Sequence, residues 1–121
     1  MNPESPDRDE SLEVLRKDAL FARVEGDAAL LSAMAAIFLH ECPKHLADIR
    51  KAVANHDAPG LQATAHHLRG SVSNFLAPQA VQAALTLETM GRDGDLTKSK
   101  SALLALEGAI ARLKTALEEL K

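Results

Sequence analysis

The stretch Ser101–Lys121, SALLALEGAIARLKTALEELK, carries Leu103, Leu106, Ile110, Leu113, Leu117 and Leu120 at spacings that alternate three and four. That alternation puts all six on one stripe of an α-helix, the seam of a helix packed in a bundle. Asp95 or Thr97 is placed to cap its start. Upstream, Pro78 opens a preceding helix and Gly91 closes it. A third helix starts at an Asp57 cap, tolerates Pro59 in its first turn, and runs to about Phe75. The longest spans about Ala28–Asn55, with Leu31, Met34, Phe38, Cys42, Ile49 and Val53 near one stripe and Asp27 as cap. Pro43 inside it removes a backbone donor, so a kink is expected there, with two separate helices as the alternative. A shorter helix from Ser11 to about Val24, marked by Leu12, Leu15 and Ala19, comes first and Gly26 ends it.

No stretch alternates in the strand manner. The fold class is therefore all-α: an antiparallel up-down four-helix bundle with a short additional N-terminal helix. Residues 1–10 are polar, contain Pro3 and Pro6, and read as a disordered tail, leaving 11–121 as one domain.

Composition removes several function classes. With three Phe and no Trp or Tyr there is no stacking platform for single-stranded nucleic acid. A net charge of −3 gives no basic footprint for DNA or RNA. The single cysteine, Cys42, forbids an internal disulfide and a multi-cysteine zinc site. No apolar run reaches the length of a membrane span and the first ten residues do not form a signal peptide, so the expected location is the cytoplasm.

The third helix carries the chemistry. At about 100° per residue, Leu61, Ala65, Leu68, Val72 and Phe75 cluster as its core stripe, and His66 and His67 lie about 130° to either side, both reaching solvent. The His66 face carries the small residues Ala63, Gly70, Ser73 and Ala77, and Arg69 stands one turn further on. A mid-helix glycine costs roughly 0.5–1 kcal/mol relative to alanine, and close access to the His66 ring is a reason to keep Gly70. A neutral imidazole is a ready nucleophile at pH 7, and Arg69 can offset the charge of a phosphoryl group placed on it. The bland alternative is a solvent-facing His beside an Arg, and geometry alone does not choose between His66 and His67. Glu88 and Arg92 fall on the neighbouring helix beside His66; they either orient the ring or form an i, i+4 surface pair. His40, Cys42 and His45 invite a metal reading, but His40 and His45 are about 140° apart on a helix, and Cys42 reads as a small buried hydrophobe. No metal site is expected. Lys98 and Lys100 read as a solvated face, and His56 as a helix-end residue.

The string from Thr64 to Leu96, TAHHLRGSVSNFLAPQAVQAALTLETMGRDGDL, resembles the histidine-containing phosphotransfer (HPt) domain of multistep phosphorelays. Ala65, His66, Leu68, Arg69, Gly70, Ser71, Asn74, Phe75 and Ala77 match its signature, and the likeness continues through Leu87–Glu88 and the Gly91–Leu96 turn. The upstream helix around Phe38–Asp57 is similar too, so the resemblance spans about residues 30–120. It implies that His66 is the phosphoryl acceptor and His67 a variable neighbour, that Arg69 steadies the phosphoryl charge, and that Gly70 gives access. Leu76 departs from the family's usual glycine, which implies a less tight turn after the third helix. The resemblance further implies a monomeric carrier that takes a phosphoryl group from a receiver-domain aspartyl phosphate and passes it to another receiver. Response-regulator receivers or a hybrid sensor histidine kinase are the implied partners. It has no cofactor of its own, the receiver supplying magnesium, and no autokinase activity, since the chain has no Gly-rich phosphate loop. An adaptor bundle that docks on a receiver or kinase without being phosphorylated is the alternative.

Overall fold

The computed structural model describes residues 17–119, which form five helices: α1 (Lys17–Arg23), α2 (Ala28–Ala54), α3 (Ala58–Ser73), α4 (Pro78–Asp93) and α5 (Ser99–Glu119). Residues 11–16 of the expected first helix, the tail before them, and Leu120 of the leucine seam lie outside the described residues.

The helix starts follow from local chemistry. The Asp27 side chain accepts from the Leu30 amide at 2.9 Å, and Asp57 accepts from the Gly60 amide at 3.0 Å. Each satisfies a donor that the first turn of a helix leaves orphaned. Pro78 begins α4, where its missing N–H costs nothing. Two expectations at the ends are corrected. Gly91 does not close α4: the helix runs to Asp93, and Gly94, at φ +75°, is the left-handed cap whose amide turns back to Met90 and Gly91. Nor does Asp95 or Thr97 cap α5. Asp95 accepts from the Thr97 amide at 3.2 Å and so closes the preceding turn, while α5 begins two residues beyond Thr97, at Ser99.

Pro43 does not divide α2, which runs as one helix of 27 residues. The proline is on the exposed side, and Cys42, Leu46 and Ile49 beside it are buried, so packing holds the helix across the lost hydrogen bond.

From α2 to α5 sequential helices pack side by side, and α5 closes back on α2, giving the four-helix up-down arrangement. The core is the predicted stripes in contact: Leu31, Phe38, Cys42 and Ile49 of α2, Leu61, Ala65, Leu68 and Val72 of α3, and Leu106, Ile110, Leu113 and Leu117 of α5, all buried. Small residues supply α4's share, with Ala80, Ala84 and Gly91 buried beside Leu87. A Cβ built on Gly91 would stand 2.5 Å from the Gln62 nitrogen and 2.7 Å from the Ala58 oxygen, both backbone. The absent side chain at Gly91 therefore lets α4 lie directly on the first turn of α3. That close pair is the frame of the site. Phe38 and Phe75 meet edge to face at 5.4 Å, which fastens the other end of α3 to α2.

Candidate functional site

α3 buries Leu61, Ala65, Leu68 and Val72 and thereby turns His66 and His67 outward on opposite flanks, as the helical spacing predicts. The two differ in their neighbours. His67 faces α2 across a cleft lined by His40, Lys44, His45, Asp48 and Thr64. His66 faces α4, with 61% of its side chain exposed.

Across the α3–α4 seam, Glu88 Oε2 lies 2.9 Å from His66 Nδ1. Its other oxygen, Oε1, accepts from Arg69 Nε at 2.5 Å, and Arg69 Nη2 reaches Oε2 at 3.3 Å. Arg69 is the residue one turn after His66 on α3, so a single carboxylate on α4 ties both together. The Glu88 carboxyl is held below the ordinary glutamate range, first by the hydrogen bond from Arg69 and then by that from His66. Arg69 is correspondingly pushed up by its bond to Glu88. An ionised carboxylate has only lone pairs to offer, so the Nδ1 it meets carries the hydrogen. Nε2 then holds the lone pair, and no side chain among the described residues bonds to it. Arg69 Nη2 also stands 3.2 Å from Nδ1. In this tautomer that approach sets donor against donor, and the guanidinium is held by Glu88 and not by the ring.

Gly70 is exposed, and a Cβ built on it would meet nothing within 4 Å, so the surface beyond the His66 ring is open. One other residue expected on this face is placed differently: Ala77 is fully buried, because α3 ends at Ser73 and the helical projection does not extend past it. Ser73, the last residue of the helix, is half-buried and donates to the Arg69 carbonyl at 2.7 Å. Arg92 does not join the site either: it pairs with Asp93 at 3.1 Å. Of the pair Glu88 and Arg92, only Glu88 meets His66.

The remaining candidates fall outside this cluster. Cys42 is buried and its thiol is pushed up by that burial, which makes it an inert core residue. His40 is exposed and His45 half-buried beside it, and among the described residues no group of three or more histidine, cysteine, aspartate or glutamate side chains is placed to hold a metal ion. Lys98 and Lys100 are exposed. Sequence reasoning left one surface unnamed: a groove between α2 and α3 lined by Met34, Ile37, Phe38 and Phe75, with Glu41 and Asn74 at its rim. Ile37, 59% exposed, was the available signal, a large apolar residue off the core stripe of α2, next to the exposed Ala36. No helix among the described residues is long and apolar enough to cross a membrane.

The model of the Hpt domain family matches residues 33–120, a span that takes in α3, α4 and α5 whole and most of α2. Among solved structures, the fold is similar to that of the HPT domain from the Hpt sensor hybrid histidine kinase of Shewanella. The two share 18% identity over 90% of this chain and 94% of that one, with a TM-score of 0.77, a likeness of fold. No curated protein sequence matches the chain. The family match covers most of the chain and the bundle has the family's fold, so the chain belongs to the Hpt domain family, the phosphotransfer domains of phosphorelays.

Proposed function

We propose that His66 accepts a phosphoryl group on Nε2 from the aspartyl phosphate of a receiver domain and passes it on to the aspartate of another receiver. The observation that carries this reading is the 2.9 Å contact between Glu88 Oε2 and His66 Nδ1. With the hydrogen held on Nδ1, the Nε2 lone pair attacks phosphorus. The bond from phosphorus to the aspartyl oxygen breaks, and the receiver's aspartate leaves as a carboxylate. The Nδ1 hydrogen stays between ring and Glu88, so the step needs no separate proton acceptor. Return transfer is the same path reversed, onto a second receiver's carboxylate. The magnesium and acidic residues such a transfer requires belong to the receiver, and this chain acts as a monomeric carrier in the cytoplasm.

Three features support the reading. The ring is exposed, Gly70 leaves the approach open, and the apolar groove between α2 and α3 lies on the same helix as His66.

The test is incubation of the full chain with a phosphorylated receiver. Wild type and His67→Gln are expected to gain acid-labile, alkali-stable label, and His66→Gln to gain none. Absence of label on wild type, or equal label on His66→Gln, would leave the unphosphorylated adaptor as the better account.

A further inference from the structure

We infer that the cleft between α2 and α3 that gathers His40, His45 and His67 is a docking surface for an acidic face of the receiver domain, and that its grip depends on protonation of those rings. The inference rests on the reading of His66 as an acceptor served by receivers.

Three of the chain's five histidines line this one cleft, His40 and His45 from α2 and His67 from α3. Its other ionisable groups, Glu41, Lys44 and Asp48, all come from α2, and Thr64 completes the α3 wall. His66, the nearest titratable group outside the cleft, faces Glu88 on α4. Lys44 and Asp48 pair at 2.9 Å and cancel. Neutral rings thus leave the cleft with the single negative charge of Glu41, and three protonated rings give it two net positive charges. Histidine is the side chain whose charge changes between pH 5 and 8. Three of them on one seam turn a modest change of pH into a reversal of sign. His40 and His67 are exposed and His45 is half-buried, so water reaches the cluster.

Position supplies the partner. The His67 ring lies 6.2 Å from the His66 ring, centroid to centroid. A protein seated on His66 covers on the order of 800 Å² of the surface around it, so it reaches the cleft. The cleft also shares Glu41 and His45 with the apolar groove of Met34, Ile37, Phe38 and Phe75, and the two form one continuous seam. Apolar contact at one end and ionisable groups at the other is the build of a protein interface, where charge selects the partner and speeds encounter. A receiver brings to His66 an aspartate and the acidic residues that hold its magnesium. Those carboxylates repel a cleft of net negative charge and accept charge-assisted hydrogen bonds from imidazolium rings. By reciprocity, a partner that binds better to the protonated cleft draws protons onto it when the complex forms.

The experiment uses the full chain and a receiver that labels His66. The receiver is unphosphorylated and free of magnesium, so its carboxylates are uncompensated and no transfer occurs. Calorimetric titration gives the affinity at pH 8 and pH 6, and heats in two buffers of different ionisation enthalpy give the protons taken up at pH 7. Wild type is compared with the triple variant His40→Gln, His45→Gln and His67→Gln, so titrating groups on the receiver are common to both. The two proteins should bind equally at pH 8. At pH 6 wild type should bind roughly three- to tenfold more tightly, the range of a few exposed ion pairs, and at pH 7 it should take up more protons. The double variant His40→Gln and His67→Gln, altered only at exposed positions, should show a smaller ratio of the same sign. A ratio that does not change from pH 8 to pH 6, or equal proton uptake, marks the rings as a solvated face and overturns the inference. A gap already complete at pH 8 marks them as neutral contacts and overturns it too. A chain that no receiver labels overturns the reading of His66 and this inference with it, whereas a labelled chain with a constant ratio overturns this inference alone.

Discussion

Replacing Gly91 with alanine should destabilise the bundle although alanine is the better helix former. Gly91 lies inside α4 with an ordinary helical backbone, so its conformation does not call for glycine. Its surroundings do. The new Cβ would stand 2.5 Å from the Gln62 nitrogen, 2.7 Å from the Ala58 oxygen and 2.9 Å from the Gln62 Cα. All three are backbone atoms of the first turn of α3, so no side chain can swing aside. Relief to an ordinary contact of about 3.5 Å requires the two helices to part by roughly 1 Å. Overpacking of this kind costs about 1–3 kcal/mol, and the helix preference of alanine returns about 0.5–1 kcal/mol, leaving a net loss centred on about 1 kcal/mol and reaching about 2.5 kcal/mol. For a domain of this size that corresponds to a fall in Tm of roughly 4–10 °C. Gly70→Ala is the internal control: its Cβ meets nothing within 4 Å, so only the helix term remains and stability should rise by about 0.5–1 kcal/mol. The assay is urea unfolding followed by circular dichroism on both variants and wild type. Opposite signs are expected. A Gly91→Ala protein as stable as wild type would refute the argument that this glycine exists for the α3–α4 approach. Because Glu88 is one turn before Gly91, the same variant should also weaken the Glu88–His66 contact, visible as a change in the His66 ring spectrum.

The other predictions are briefer. Gly70→Leu should slow phosphoryl transfer from a receiver while leaving helix content unchanged by circular dichroism, since the space it fills is open; unchanged rates would show that access is not its role. His56 sits in the α2–α3 turn at φ +53°, a left-handed conformation disfavoured for a residue with a Cβ, so His56→Gly should gain about 0.5–1 kcal/mol in urea unfolding. Glu88 titrates below the ordinary glutamate value of about 4.3, so its ion pair stabilises the fold above that pH and the contribution disappears as pH falls through the lowered value. The stability difference between wild type and Glu88→Gln, at most about 1 kcal/mol, should therefore be complete at pH 7 and shrink in acid; a gap of constant size from pH 7 to pH 3 would show that the carboxylate's charge is not its source.

Helical period alone was enough to find the core of α3, where Leu61, Ala65, Leu68 and Val72 are all buried, and to bring His66 and His67 to the surface. It failed where a residue's role depends on another helix. Gly91 and Gly94 are equally plausible stops within one chain; only the Gln62 backbone beneath the first and the φ of +75° at the second tell them apart. Glu88 has Arg92 four residues on, the ordinary surface pairing. Across the seam Arg69 takes both of its oxygens, and Arg92 turns to Asp93. That exchange follows from the closeness of α3 and α4, which no spacing within α4 encodes. Ala77 shows the opposite error, a helical projection carried past the residue where the helix stops.

Leu76 separates residue identity from backbone conformation. A leucine where the family resemblance implies glycine reads as a looser turn, yet Leu76 adopts φ +52°, the left-handed geometry that glycine would take, with its amide 3.4 Å from the Ser73 oxygen. The turn is kept and the strain, roughly 1–2 kcal/mol for a side chain in that region, is accepted. Its side chain is half-buried and packs against the core, and burying part of a leucine offsets about 1 kcal/mol of that cost. The two effects nearly cancel, so a leucine can hold this left-handed turn. Pro78 begins α4 two residues on, Gly91 meets α3, and Glu88 reaches His66.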